Sequence, residues 1–260
     1  MIDKKTLHSL TKINNVTFYI KLAILSALLL FSFYLMLSDN ILLSLLGMFI
    51  AGAMYAHAVE LQHQCLHYTA FNEKNKNKFF GILLGLPMFV KFSQYREEHL
   101  KHHKNLGTKD NKEFFDDRFK RYKELFKNIN FNNMESVAIL ILPTLTFTLL
   151  FFNNFILVKI WLLPVLIFGE IIHFLVELPE HYKCNNFDKN PLMNSRTIKG
   201  SLFSFWFTNG NNFHIEHHTL AAVPIDKLPI LHNLIQKEIV YYEKKYLDFY
   251  LSIFTNKLKK

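Results

Sequence analysis

Cysteine is scarce in this chain of 260 residues, which has only two, Cys65 and Cys184. Domains held together by disulfides need several cysteines and an oxidising compartment. Because the two cysteines are far apart in the sequence, the chain gives no sign of a disulfide framework. The composition instead fits a reducing, cytosolic environment around both residues.

Lysine and arginine are missing from two long stretches of the chain. None occurs from residue 22 to 73, and only Lys159 occurs from residue 128 to 182. Half of all residues are apolar, and 27 are phenylalanine. Four apolar runs approximate the length of a membrane-spanning helix, and they cover about residues 18–37, 41–59, 137–152 and 160–178.

Polar turns separate the runs of each pair. Ser38-Asp39-Asn40 follows the first run and Asn153-Asn154 follows the third, which predicts two helical hairpins. Basic residues flank membrane helices on the cytoplasmic side, so both termini, residues 60–136 and everything after about 179 are predicted to be cytoplasmic. The predicted fold is an all-α integral membrane protein, with four transmembrane helices in two hairpins, a cytosolic helical cap and one domain over residues 1–260.

The formal net charge of +9 does not indicate a nucleic-acid partner. The basic residues are spread over segments that flank the apolar runs and are not gathered on a soluble basic fold. Anionic lipid headgroups or an acidic electron donor explain this charge better.

Two further segments contain apolar residues but are not predicted to span the membrane. The segment 79–90 predicts either an interfacial or re-entrant helix, or an ordinary core helix under the cap. The segment from about 236 to 260 mixes Lys with Tyr and Phe at roughly helical spacing. It predicts an interfacial helix, or a solvated helix packed on the cap.

Histidine forms the strongest pattern in the chain. Residues three and four apart share a face of a helix, so imidazoles at these intervals can converge on a metal. Imidazole suits zinc, copper, iron or nickel, and eight histidines exceed the four ligands of a structural zinc site. The pattern therefore predicts two metal ions in one pocket. Eight of the 13 histidines lie in three such boxes: His63 and His67; His99, His102 and His103; His214, His217 and His218.

The fourth apolar run adds ionisable residues at helical intervals. Glu170, His173, Glu177 and His181 follow one another at spacings of three, four and four. Ionisable groups in a membrane helix are costly and usually functional. We expect His181 to be a ninth ligand, and Glu177 to bind metal, to hold a metal-bound water or to support a histidine. His173 is a further candidate for these roles, and Glu60, three residues before His63, could accept a bond from a ligand imidazole.

These motifs resemble the histidine boxes of the membrane fatty acid desaturase and hydroxylase superfamily. Val223-Pro224 and Leu228-Pro229-Ile-Leu-His232 are similar to the segment after the third box of acyl-lipid desaturases. Glu180-His181-Tyr182 is similar to the extra histidine motif of membrane alkane hydroxylases. The resemblance covers about residues 18–235. The three boxes read His63-Gln-Cys-Leu-His67, His99-Leu-Lys-His102-His103 and Asn212-Phe-His214-Ile-Glu-His217-His218.

The resemblance implies a mushroom-shaped domain of four membrane helices under a cytosolic cap. It implies two iron ions, with O2 as co-substrate and a lipid or other alkyl or acyl chain as substrate. It also implies the iron ligands, which are His63, His67, His99, His102, His103, His181, His214, His217 and His218.

Departures from the family patterns narrow the expected activity. In the second box, two residues separate His99 from the pair His102-His103, as in desaturases and carotenoid ketolases. Alkane hydroxylases tend to have three residues in this place. The third box begins with His214, where front-end desaturases carry Gln. The chain has no His-Pro-Gly-Gly haem motif, so electrons are expected from a separate donor, of the ferredoxin or rubredoxin type, that docks by charge.

The sequence thus favours a fatty acid (acyl-lipid) desaturase that introduces a C=C bond. A hydroxylase or ketolase of an alkyl or isoprenoid chain is the alternative. The choice between desaturation and hydroxylation depends on how the substrate chain is placed relative to the metals. A membrane metal transporter, from a different class, would hold its ligands near the bilayer midplane. A zinc hydrolase is disfavoured because the chain lacks the H-E-x-x-H pairing.

Overall fold

A computed structural model of the chain describes residues 3–112, 122 and 133–255. In these residues, four helices are long and apolar enough to cross a membrane, which confirms the number of predicted spans. The first span, Lys4–Met36, contains α1 (Lys4–Thr11), a short break and α2 (Asn15–Met36). The others are α3 (Ile41–Leu66), α6 (Met134–Phe151) and α7 (Val158–Glu177).

Helices α2 and α3 pack against each other across a short turn. Asn40 caps α3, since its side-chain oxygen accepts from the backbone N–H of Leu42 at 2.9 Å and of Leu43 at 3.3 Å. Helix α3 continues to Leu66, beyond the apolar run that ends at about residue 59. This last part carries Glu60, Gln62, His63 and Gln64, which are polar but buried against protein.

The segment 79–90 packs on one side of α3 and leaves Phe79 and Leu83 exposed. Helix α4 (Lys74–Gly85) and a 3₁₀ turn (Leu86–Met88) pack along α3. Gln62 of α3 donates to the carbonyl of Gly81 at 2.9 Å and to that of Val90 at 3.1 Å. These contacts fix one face of the segment on α3, and both predicted alternatives, the interfacial or re-entrant helix and the core helix under the cap, stay predictions. Helix α5 (Phe92–Asn105) follows and carries the second histidine box.

Helix α7 crosses α3 at very short range. It begins with two π-helical stretches, Val158–Leu162 and Val165–Gly169, and ends as a regular α-helix. At the crossing, a Cβ atom on Gly52 would lie 2.5 Å from the Cβ of Phe168 and 2.7 Å from the carbonyl oxygen of Pro164. Small residues at such crossings let membrane helices approach closely.

The chain after α7 folds into short elements around the third histidine box. The helices are α8 (Pro191–Asn194), α9 (Leu202–Phe207), α10 (His214–Thr219), α11 (Leu228–Ile235) and α12 (Tyr246–Phe254). Strand β1 (Thr197–Ile198) pairs in parallel with β2 (Tyr242–Glu243). The all-α prediction missed this sheet, because two-residue strands leave no periodic pattern in a sequence.

The most deeply buried residue of α12 is Phe249, which packs on this region. Phe249 is fully buried, with the guanidinium of Arg196 4.9 Å from its ring centroid and the Tyr182 ring 6.1 Å away. The opposite face of α12 exposes Leu251 and Phe254. Residues 256–260 of the predicted interfacial helix lie outside the described residues, and the interfacial placement of 236–260 stays a prediction.

The close crossing of α3 and α7 predicts an asymmetric response to two small substitutions. Gly52→Ala would force the helices apart and lower the free energy of unfolding by about 1–3 kcal/mol, the usual range for overpacking. Thermal unfolding in detergent measures the effect. Gly169→Ala is the matched control, since its Cβ would meet neighbours only at 3.4 Å or more. Equal stability of the two variants would contradict the crossing.

Candidate metal centre

All three histidine boxes lie on helices that end in one region. His63 is in the last turn of α3, and His67 is the residue that caps its C-terminus. Helix α5 carries the second box and α10 carries the third. His181 lies in the turns that follow α7, so the predicted helical stripe ends at Glu177 and a change of chain direction brings His181 to the boxes.

Four of these histidines form a group that we call site one. Each offers one ring nitrogen that could bind a metal, and these nitrogens all lie within 4.8 Å of one another. The Nε2 atom of His99 lies 2.8 Å from that of His63 and 3.0 Å from that of His67. Site one consists of His63, His67, His99 and His217.

A second group of four, site two, has the same construction. The Nε2 atom of His214 lies 3.0 Å from that of His181 and 3.0 Å from that of His218. The Nε2 atom of His102 lies 3.2 Å from that of His218. Site two consists of His102, His181, His214 and His218.

His103 lies between the two sites. Its Nε2 atom is 2.9 Å from that of His99 and 3.1 Å from that of His217 in site one, and its ring centroid is 4.2 Å from that of His218 in site two. The second box therefore divides its histidines between the sites, and so does the third. On a helix, the side chains at i+3 and i+4 point to either side of the side chain at i. The histidines of one short box can therefore face two neighbouring sites.

The chemistry of this cluster suits metal ions. Imidazole nitrogens only about 3 Å apart need either protons or a cation between their lone pairs. Burial disfavours protons here: it lowers the pKa well below the usual value, and the neighbouring imidazoles lower it further. Neutral imidazole is the form that binds metal. The four histidines with this pKa shift are His67, His99, His217 and His218.

Polar partners orient the imidazoles of site two. The Nδ1 atom of His181 lies 2.9 Å from the carbonyl oxygen of Asn194, and that of His214 lies 3.1 Å from Oδ1 of Asn211. With Nδ1–H donating in each case, Nε2 keeps its lone pair for a metal. Asn211 also donates to Glu180 at 2.5 Å. The other Glu180 oxygen lies 3.3 Å from Nε2 of His214.

A buried carboxylate holds the helix of the third box. Glu216 is fully buried. It accepts from the hydroxyl of Thr197 at 2.6 Å and from Nδ1 of His232 at 2.5 Å. These bonds tie α10 to β1 and α11, so the box cannot rotate without breaking them.

The three residues predicted to assist the ligands lie together outside both sites. His173 has its Nε2 atom 3.5 Å from Oε1 of Glu60 and its Nδ1 atom 3.2 Å from Oε2 of Glu177. Neither histidine group includes any of the three. The carboxylate nearest to a ligand nitrogen in the described contacts is that of Glu180.

Sequence reasoning did not assign Glu180, Glu216, Asn194 or Asn211 to the site. Glu180 adjoins His181 and Glu216 lies inside the third box, so adjacency to a ligand was the available signal. Nothing in the sequence marks Asn194, because its contact to His181 depends on the turns between them. A cavity of about 280 Å³, partly open to solvent, reaches His102 and His181 and is also lined by Lys109 and Asn186.

Comparison with known proteins agrees with this geometry. The family described as "Fatty acid desaturase" matches residues 40–129 and 111–250. This chain belongs to the fatty acid desaturase family. A similar protein is the "Sphingolipid delta(4)-desaturase" of Komagataella phaffii (strain GS115 / ATCC 20864), which is 26% identical over 208 residues. The match covers 66% of this chain and spans 56% of the length of that relative.

The division into two sites predicts independent losses of metal. His67→Ala removes a nitrogen from site one and His181→Ala removes one from site two, so each variant is expected to lose about one ion per chain. Elemental analysis of detergent-purified protein measures the loss. His8→Ala, which changes an exposed histidine of α1, is the control and keeps the wild-type content.

Two results would contradict this assignment. A variant with full metal content would show that its histidine is not a ligand. Loss of all metal from either variant would show one inseparable cluster in place of two sites.

Proposed function

We propose that this protein is a membrane diiron desaturase that introduces a C=C bond into the alkyl or acyl chain of a lipid. The observation that carries the proposal is the convergence of nine imidazoles in two groups, with neighbouring Nε2 atoms 2.8–3.2 Å apart. Eight of them belong to sites one and two, and His103 lies between the sites. The co-substrate is O2.

Iron fits the donor set because imidazole ligands suit it and the second box is spaced as in desaturases. Four histidines at site one would hold one iron and four at site two the other, with His103 available to either. Bound there, iron supplies the reductive activation of dioxygen needed to break an unactivated C–H bond, which side chains cannot do. The protein positions the chain and excludes water.

The residues around the sites serve this role. His99, His214 and His217 are at most 2% exposed, so the reacting region is shielded from solvent. We expect a lipid chain to approach the histidines from among the apolar helices α2, α3, α6 and α7. Electrons come from a separate donor, of the ferredoxin or rubredoxin type, that docks on the basic cytoplasmic side.

The transporter alternative explains the geometry less well. A transported metal needs ligands near the middle of the membrane helices. Here His63 is in the last turn of α3, and His181 follows the end of α7. Ligands at helix ends favour a fixed cofactor over a cargo.

The function can be tested by lipid mass spectrometry of cells that express the protein. Wild type is expected to yield lipids lighter by two hydrogens, and detergent-purified protein is expected to contain about two irons. His217→Ala should abolish the new lipids, because it removes a buried ligand of site one, whereas His8→Ala should retain them. The search should include sphingoid as well as acyl chains, in view of the similar sphingolipid desaturase.

Other outcomes would overturn the proposal. Lipids heavier by one oxygen would assign a hydroxylase. Zinc in place of iron, or no His217-dependent change in lipids, would remove the oxygenase function altogether.

The proposed orientation, with both termini and the metal centre cytoplasmic, makes a separate prediction. Cysteines are introduced singly, as Ser38→Cys in the turn after α2 and as Lys4→Cys in α1, on a background with Cys65→Ser and Cys184→Ser. A membrane-impermeant maleimide applied to intact cells should label Ser38→Cys only. Labelling of Lys4→Cys alone would show the opposite orientation.

A further inference from the structure

Arg196 is a buried cation that lies just before strand β1. It is 2% exposed and is the largest of the fully buried side chains in the described part of the chain. A guanidinium stays charged in proteins, and burying a charge is unfavourable unless polar partners surround it. The contacts of Arg196 therefore indicate what this buried charge does.

These contacts lie on both sides of His181. The Nη1 atom of Arg196 donates to the carbonyl oxygen of Pro179 at 2.9 Å and to that of Tyr182 at 2.8 Å. The backbone N–H of Arg196 donates to the carbonyl oxygen of Glu180 at 2.8 Å. Three bonds thus attach Arg196 to the turn that carries His181, a histidine of site two.

The turn needs such support because no helix continues through it. Helix α7 ends at Glu177, and a cation is favourable just beyond a helix C-terminus, where carbonyl oxygens lack helical partners. After His181, the chain passes through Lys183 with a φ angle of 56°. A residue with a side chain adopts this left-handed conformation at a cost, and the surrounding structure must hold it there.

Neighbours of Arg196 in the sequence make further bonds around site two. The carbonyl oxygen of Asn194 lies 2.9 Å from Nδ1 of His181. Thr197 donates its hydroxyl at 2.6 Å to Glu216, in the helix of the third box. This short segment therefore joins the turn of His181 to the third box, and Arg196 is its charged residue.

The C-terminal part of the described chain covers the guanidinium. The ring centroid of Phe249 in α12 lies 4.9 Å from the Cζ atom of Arg196, and that of Tyr241 lies 5.7 Å from it. Cations are attracted to aromatic faces at such distances, and more strongly where water is excluded. Because Phe249 is itself fully buried, α12 completes the surroundings of Arg196.

We infer that Arg196 is a positioning residue for site two, which fixes His181 for metal binding, and that Phe249 supports it by holding the guanidinium in place. The inference rests on the proposed function, because it takes site two to bind a metal ion. Arg196 acts through the backbone of the turn. Without the guanidinium, the imidazole of His181 remains present but less well placed, so site two binds its ion more weakly and site one does not change.

The test separates the two sites before Arg196 is changed. His67→Ala leaves site two intact, and His181→Ala leaves site one intact, so each parent protein reports the affinity of one site. The probe is Co²⁺, which suits imidazole ligands and whose visible absorption depends on the arrangement of its ligands. The detergent-purified proteins are freed of metal with a chelator and titrated with Co²⁺ alone, without donor or substrate.

The variants differ in what remains at the buried position. Arg196→Met removes the charge and keeps a long apolar side chain, whereas Arg196→Lys keeps the charge without the planar fork. Lys21→Met is the matched control. Lys21 is also a buried cation, 8% exposed, but it donates to Asn209 at 2.6 Å. The control therefore removes an equal charge that is bonded to a different segment.

In the parent that retains site two, Arg196→Met is expected to weaken Co²⁺ binding about 10- to 100-fold, the usual range for loss of a group that orients a metal ligand. The Co²⁺ absorption spectrum should change as well, because His181 is less well placed. Arg196→Lys should weaken binding by a smaller factor, and Lys21→Met should bind as the parent does. In the other parent, Arg196→Met should leave site one unchanged.

The part played by α12 is tested with Phe249→Leu, which keeps an apolar side chain but removes the ring. It is expected to weaken site two by a smaller factor than Arg196→Met does. In a protein that already carries Arg196→Met, Phe249→Leu should cause no further weakening, because residues that act through one contact are not additive. The same weakening with and without Arg196 would show that Phe249 acts independently.

Unchanged affinity of site two in Arg196→Met would overturn the inference, and so would equal weakening of both sites, which indicates a general loss of structure. If Arg196→Met does not fold, Arg196→Lys decides, since parental affinity in that variant would show that the fork is not needed. A parent with no Co²⁺ bound at site two would remove the metal centre itself. If wild type made no desaturated lipid, the proposed function would fail, and the titration would still report on Arg196.

Discussion

The structure depends on holding nine imidazoles in a buried cluster with their Nε2 atoms facing one another. Neighbouring nitrogens lie 2.8–3.2 Å apart, and burial lowers the pKa of four of these rings well below the usual value. Facing lone pairs repel unless a cation lies between them, so without a metal the arrangement is unfavourable. The surrounding fold must therefore fix the histidines in place before any ion binds, and much of the molecule around them can be understood as serving this purpose.

Three features meet that requirement. Gly52 lets α3 and α7 approach so closely that the two helices act as one support. Glu216 ties α10 to Thr197 and His232, which fixes the third box. Asn194 turns His181 so that its Nε2 atom faces His214. Each feature acts on a different segment, and removing one would misplace only the imidazoles attached to that segment.

The sequence alone was sufficient to predict the spans and the histidine boxes, because both follow from local spacing. It could not assign histidines to sites, since His102 and His103 are adjacent but face different neighbours, and this depends on how α5 meets α10. The apolar run alone does not show that α3 extends to Leu66, because Glu60, Gln62 and Gln64 are polar yet buried. It also overlooked Glu180 and Asn194, whose contacts depend on turns after α7 that have no periodic signal.

Charge balance gives the buried carboxylates a common explanation. Two divalent ions bound at sites one and two would carry four positive charges, and neutral imidazoles offset none of them. In a region shielded from water, such charge needs nearby anions. Glu180 contacts His214 of site two, whereas the described contacts of Glu60 and Glu177 are with His173 and those of Glu216 include His232. Glu216 is tied to the third box, whereas Glu60 and Glu177 flank the imidazole of His173. Glu180 and Glu216 are therefore the carboxylates best placed to offset the charge of bound ions, since one contacts a histidine of site two and the other lies within the third box.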